Sequence, residues 1–176
     1  MRALIALLVC VAPVFASGEL SGRRAPGFAL PDGRFQYHDP QDYRGRILIV
    51  DIMATNCPHC ATLSTILEQV KARYAGKVAV LSVVNPPDNQ STVARYAAAH
   101  KVTSPILFDC GQVAAVYLKA TPDNAVVDVP HIFIIDGQGT IVNDYGYNVL
   151  NRDIFEGKGL FGVLDRMLAA SAPKKK

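Results

Sequence analysis

The chain has 176 residues, 50 % hydrophobic and 19 % charged, with four cysteines and a formal net charge of +3. That is enough for one domain with a real core. All three net positive charges are matched by the terminal Lys174, Lys175 and Lys176, so a basic nucleic-acid face on the body is not indicated.

The chain opens with Arg2, an apolar run from Ala3 to Val11, and then Val14-Phe15-Ala16. This is the charged start, apolar middle and small-residue end of a secretory signal. The apolar stretch stops near Ala16, short of the ~20 residues that span a bilayer. Residues 1–16 therefore read as an export signal, cleaved after Ala16 or within the next two residues, and the mature protein is expected in the periplasm or secreted. The alternative is an uncleaved anchor, the one case in which the chain would meet a membrane. A lipoprotein signal through Cys10 is opposed by the bulk of Val9. Removal of residues 1–16 lowers the charge to +2 and leaves Cys57, Cys60 and Cys110, too few for a disulfide-stapled scaffold.

Residues 17–27, rich in Ser, Gly, Arg and Pro, read as a linker. Phe28–Leu30 and Arg34–Tyr37 flank the turn signal Pro31-Asp32-Gly33 and read as a short hairpin. Ile47 to Met53 is mostly apolar in succession rather than alternating, as expected of a strand covered on both faces. Leu63, Ile66, Leu67, Val70 and Tyr74 then recur at helical spacing, with Gly76 as the stop. Val78–Val84 reads as a second buried strand, Gln90–His100 as a helix, Pro105–Phe108 as a strand and Gly111–Leu118 as a helix. Ala120–Asp128 reads as loop, His131–Ile135 as a strand, Asp136–Gly139 as a turn, Thr140–Tyr145 as its hairpin partner and Leu160–Ala170 as a closing helix. Strands alternating with helices indicate one layered α/β domain over residues 28–170, followed by a solvated lysine tail at 171–176.

Cys57-Pro58-His59-Cys60 lies where the first buried strand hands over to a helix. A helix N-terminus presents unpaired N–H groups and the positive end of the dipole, which stabilise a thiolate. The thiolate is the nucleophile of thiol–disulfide exchange. Pro58 suits the first turn, where a missing N–H costs nothing. Three other readings of the motif are weaker. A zinc site needs a second ligand pair, whereas Cys10 and Cys110 stand alone and His100 and His131 form no pair. Haem attachment needs His at position 61, which is Ala. A purely structural disulfide closing so short a loop gains little chain entropy.

Together the segment Ile49–Cys60, the Val129-Pro130 step into His131–Asp136, the turn Gly137-Gln138-Gly139 and the N-terminal hairpin resemble the thioredoxin fold. An extra strand and helix between Cys60 and Pro130 are similar to those of exported redoxins, the TlpA and ResA proteins within the AhpC/TSA superfamily. The resemblance implies a central mixed β-sheet with helices on both faces, an N-terminal β-hairpin and an inserted βα element ahead of a cis-proline.

It also implies roles. Cys57, nearer the helix start, would attack; Cys60, a turn further in and buried, would resolve the mixed disulfide. Asp51 stands where thioredoxins place a buried acid; burial raises a carboxyl pKa, and such an acid can take the proton of Cys60. The other reading of Asp51 is a strand-end carboxylate facing solvent or capping a loop. His59 would hydrogen-bond or, when protonated, charge-stabilise the Cys57 thiolate. Its Pro-His dipeptide is similar to that of the oxidising DsbA group, whereas the scaffold resembles the reductive branch. Pro130 would be the cis-proline that leaves the Val129 backbone free to pair with a substrate peptide. Two positions depart from the family pattern: Asn56 stands where thioredoxins carry Trp, and Leu63 where the ResA group carries Glu. Cys110 reads as a small buried hydrophobe, or as a further redox thiol, since it too precedes a helix.

The leading expectation is an exported thiol–disulfide oxidoreductase acting on protein thiols and disulfides, with a redox partner protein, no cofactor and no metal. It would contribute to redox homeostasis and antioxidant activity. A thiol peroxidase is the second. The peroxiredoxin signature sets Pro seven and Thr three residues before the attacking cysteine, where this chain has Val50 and Ala54, with Thr55 one place out. The third, of another class, is a copper-binding module, since thiolates hold Cu(I).

Overall fold

The computed structural model describes residues 19–124 and 127–171. The proposed signal (1–16), Cys10 and nearly all of the lysine tail lie outside the described residues.

Two seven-residue apolar runs build the centre. β3 (Ile47–Met53) and β4 (Val78–Val84) are buried at every position and pair in parallel. β6 (His131–Ile135) joins the other edge of β3 antiparallel, β7 (Ile141–Gly146) pairs with β6, and β5 (Ile106–Phe108) extends β4. The five-stranded sheet has the order β5-β4-β3-β6-β7. β3 therefore has neighbours on both sides and side chains packed on both faces, which explains why it is apolar at every position but Asp51.

On one face lie α1 (Pro58–Arg73) and α5 (Lys158–Ser171), whose Leu63, Leu67, Leu160 and Leu164 meet Ile49 and Ile132. α2 (Gln90–His100) packs Val93 and Tyr96 beside Met53 and Cys60. The opposite face is covered by α3 (Gln112–Leu118) and the N-terminal segment, with Val113, Tyr117, Phe28 and Leu30 against Val50 and Phe133. Gly157 precedes α5 at φ +100, and an added Cβ there would come within 3.2 Å of Ile66. Only glycine meets both demands. This is the mixed sheet with helices on both faces, hairpin and inserted βα element that the sequence predicts.

Several elements depart from the expectation. β1 (Leu30–Pro31) and β2 (Tyr37–His38) have two residues each. The Asp32 carboxylate accepts from the N–H groups of Arg34 at 2.8 Å and Gln36 at 3.0 Å, and Phe35 stands at φ +60. Residues 32–36 are thereby taken into a longer turn. The segment read as a linker is bound in its described part. Gly22 and Ala25 donate to the carbonyls of Ile141 and Gly139 at 2.7 and 2.9 Å, and Leu20 and Ala25 are buried. α4 (Arg152–Phe155) and the 3-10 turns Pro40–Tyr43 and Val149–Asn151 have no counterpart in the sequence reading.

Candidate active site

Cys57 is the N-cap of α1 and Pro58 its first residue, as the dipeptide favours. Cys57 and Cys60 form a disulfide with Cα atoms 5.2 Å apart. The Cys60 N–H points at Cys57 Sγ from 3.1 Å, so an unpaired helix donor is aimed at the sulfur that would carry a thiolate after reduction. The two sulfurs differ in access. Cys57 is partly exposed, whereas Cys60 is 0 % exposed among Met53, Val84, Val93 and Tyr96.

The loop before Cys57 is held from α2's side of the sheet. Asp88 accepts the N–H of Thr55 at 2.9 Å and also its hydroxyl, and takes the Thr92 hydroxyl at 2.9 Å. The Thr55 hydroxyl is thus spent on Asp88.

Beneath the motif lies Asp51. Side chains alternate along a strand, so Asp51 shares the face of Ile49, which packs under α1, and of Met53, which packs with Cys60. It is 0 % exposed. One carboxylate oxygen accepts from the Ser82 hydroxyl at 3.2 Å and the other has no partner. Burial pushes its pKa from 3.8 to about 7, the Ser82 hydrogen bond opposing only part of the rise. The solvent-facing alternative for this residue does not hold.

On the open side, the Val129–Pro130 peptide is cis. The Val129 carbonyl oxygen lies 3.8 Å from Cys57 Sγ, and Val129 itself is partly buried. His59 is exposed, and its ring lies on Tyr147 with centroids 4.1 Å apart. His131, directly after the proline, turns to the other face of the sheet, where it stacks on Phe133 and pairs with Asp144.

Cys110 is free and exposed, against the expectation of a buried residue. The inward position beside it belongs to Asp109, whose carboxylate caps α3 by accepting from Gln112 and Val113 N–H groups, both at 2.9 Å. A cap needs its oxygens at the helix start, and Cys110 faces out as a result. Among the described residues no cluster of three or more His, Cys, Asp or Glu side chains is placed to hold a metal, and no helix is long and apolar enough to cross a membrane.

The structure thus brings Cys57, Pro58, His59, Cys60, Asp51, Val129 and Pro130 to one end of the sheet. It adds Ser82, Asp88 and Tyr147, which the sequence reading did not single out. Ser82 is the one polar residue of the β4 run, a signal that was present. Asp88 and Tyr147 follow strand ends without a motif of their own.

Known proteins resemble this chain in sequence and in fold. The chain is 28 % identical over 143 residues to the thioredoxin-like protein YneN of Bacillus subtilis, covering 80 % of this chain and 79 % of that one. Its fold is similar to that of a thiol:disulfide interchange protein from Bacteroides sp., with TM-score 0.66 and 17 % identity over 88 % of this chain and 93 % of that one. A hypothetical protein of Sinorhizobium meliloti 1021 superposes with TM-score 0.70 and 21 % identity, over 91 % of each chain. The AhpC/TSA family model matches residues 21–143. The chain belongs to the AhpC/TSA family, and its close-set Cys57–Cys60 disulfide on a thioredoxin-like fold makes it an oxidoreductase.

Proposed function

We propose that this protein is an exported thiol–disulfide oxidoreductase of the TlpA/ResA-like branch that exchanges disulfides with protein cysteines. The observation that carries the reading is the asymmetry of the pair, an accessible Cys57 at a helix start joined to a buried Cys60 that packs with Met53 on the strand face shared by the buried Asp51. In the reducing direction the Cys57 thiolate attacks a substrate disulfide, forms a mixed disulfide and expels one substrate thiolate. Asp51 takes the proton of Cys60. The Cys60 thiolate then attacks Cys57 Sγ, closing the Cys57–Cys60 disulfide and releasing the second substrate thiolate, which collects a proton. The oxidising direction is the same sequence reversed.

A polypeptide substrate fits the rim. The Val129 backbone lies beside Cys57 where an extended peptide can add to it. Val149 and Leu150, 89 % and 91 % exposed, form an apolar pair just after Tyr147. The names of the relatives, thioredoxin-like and thiol:disulfide interchange, support the same reading. Export is supported by the composition of residues 1–16, and the relation to redox homeostasis follows from the exchange. A peroxidase would need a hydroxyl free to position peroxide at Cys57, and Thr55 gives its hydroxyl to Asp88.

The test is equilibration of the purified protein with glutathione buffers, reading the dithiol–disulfide ratio of the Cys57–Cys60 pair. A potential near about −120 to −180 mV assigns an oxidase or isomerase, and one near about −270 mV a reductase. A pair that does not equilibrate, or turnover of a protein disulfide that survives Cys57→Ser, overturns the proposal.

A further inference from the structure

Tyr147 touches both halves of the site. Its ring stacks on His59, with planes 24° from parallel, and its N–H donates to the Pro130 carbonyl at 3.1 Å. Phe155, 2 % exposed, packs edge-on behind it with centroids 5.4 Å apart. The phenol ring is therefore fixed from its backbone and from behind, while the imidazole in front of it is an exposed side chain on the first turn of α1. An exposed imidazole samples several rotamers unless a neighbour selects one. Here the neighbour is Tyr147, whose backbone is tied to Pro130, the residue after the Val129 whose carbonyl lies 3.8 Å from Cys57 Sγ.

We propose that Tyr147 is the positioning residue for His59, a stacking platform that holds the imidazole beside the Cys57 sulfur and so lets it act on the thiolate formed on reduction. This rests on the reading of the pair as a redox couple tuned by His59. Stacking fixes the ring before the thiolate exists, so less rotamer freedom is lost when the two interact. Removing the platform leaves His59 in place in the sequence but free to turn into solvent. The reduced form then loses part of its stabilisation, and the equilibrium moves toward the disulfide.

Four proteins test this by equilibration with glutathione: wild type, Tyr147→Leu, His59→Gly and the double variant. Leucine keeps an apolar contact with Phe155 but offers no ring. Tyr147→Leu is expected to move the equilibrium about two- to tenfold toward the disulfide, a tenfold change being about 30 mV. The Cys57 pKa, read from ultraviolet thiolate absorbance, is expected to rise. The same substitution should do nothing in the His59→Gly background, and Tyr147→Phe should match the wild type. An unmoved equilibrium, a shift toward the dithiol, or a shift that persists without His59 overturns the proposal. A wild type that does not equilibrate at all overturns the redox reading instead, and His59→Gly without effect overturns the role of His59. If Tyr147→Leu does not fold, the His59 ring protons in the wild type decide. Ring-current displacement upfield, kept on reduction, is expected, and shifts of an unstacked histidine refute the platform.

Discussion

Replacing Asp51 by Asn in the disulfide form should remove the fall in stability that the wild type shows between about pH 4 and 7. The folded carboxyl sits in a site with one hydrogen bond, from Ser82, and one unpartnered oxygen, so burial lifts its pKa to about 7. In the unfolded chain the same group returns to about 3.9. Between about pH 4 and 7 the folded state keeps a proton that the unfolded state has released. Because the unfolded state binds fewer protons there, stability falls as pH rises through the window. The penalty is absent below it and constant above it. Three pH units at ~1.36 kcal/mol each put the full loss on the order of 4 kcal/mol, an upper figure because water entering around the ionised group reduces it. Asn has the same shape and never ionises, so its unfolding free energy lacks this slope. Its unmet amide hydrogen bonds cost the same at every pH and displace the curve without tilting it. Urea unfolding from about pH 4 to 8 reads the difference, and in the oxidised protein neither Cys57 nor Cys60 titrates. A wild type-minus-variant difference flat across that range refutes the buried acid. With the pair reduced, the same substitution should slow resolution of the mixed disulfide. Unchanged turnover would leave Asp51 a structural residue.

Alkylation of the reduced protein near about pH 6.5, mapped by peptide mass, should modify Cys57 well before the buried Cys60; the reverse order removes the assigned roles. His59→Gly should make the couple more reducing, with each unit of Cys57 pKa worth about 30 mV; unchanged potential and pKa make His59 a bystander. Glu68 of α1 is partly buried, which raises its pKa, but hydrogen bonds from Thr103 and Ser104 outweigh that and hold it at about 2. Its stabilisation is therefore complete above about pH 4.5 and lost as pH falls toward 2. Glu68→Gln should lower stability by ~1–3 kcal/mol at neutral pH; equal urea midpoints for the two proteins would contradict this.

The elements legible in the sequence are those whose signal is local. β3, β4 and β6 and helix α2 match their runs residue for residue, and for the strands a mostly apolar run between turn residues is enough to describe a central strand. The elements that were not legible owe their form to distant partners. Leu20 is fixed by the Asp144 carboxylate at 3.2 Å, 124 residues away, and nothing in Ser-Gly-Glu-Leu announces that bond. The Val149–Asn151 turn depends on Asn148 capping the N–H groups of Leu150 and Asn151 at 2.8 and 3.1 Å. Its two apolar residues resemble neither a helical face nor a strand, and they point to solvent. Cys110 departs from its expected burial for a related reason, since its exposure goes with the capping role of Asp109 and not with its own polarity.

The site divides along the same line. The groups that do the chemistry, Cys57 to Cys60, are contiguous and sit on one strand–helix junction, so spacing alone exposes them. The groups that set their properties arrive through sheet pairing. Asp88 reaches Thr55 across 33 residues and Ser82 reaches Asp51 across 31. For Ser82 the sequence held enough to find it. β3 and β4 are parallel runs of seven, and laying them side by side in step places Ile47 opposite Val78 and Asp51 opposite Ser82. Asp51 and Ser82 are each the fifth residue of their strand and the single polar residue in it. A polar residue inside a buried run is costly alone and tolerable when paired. Two such residues at the same position of adjacent strands are therefore each other's partner. One hydroxyl donor cannot satisfy both oxygens of a carboxylate, so the pairing itself leaves Asp51 half-satisfied, able to hold a proton near neutrality under Cys60.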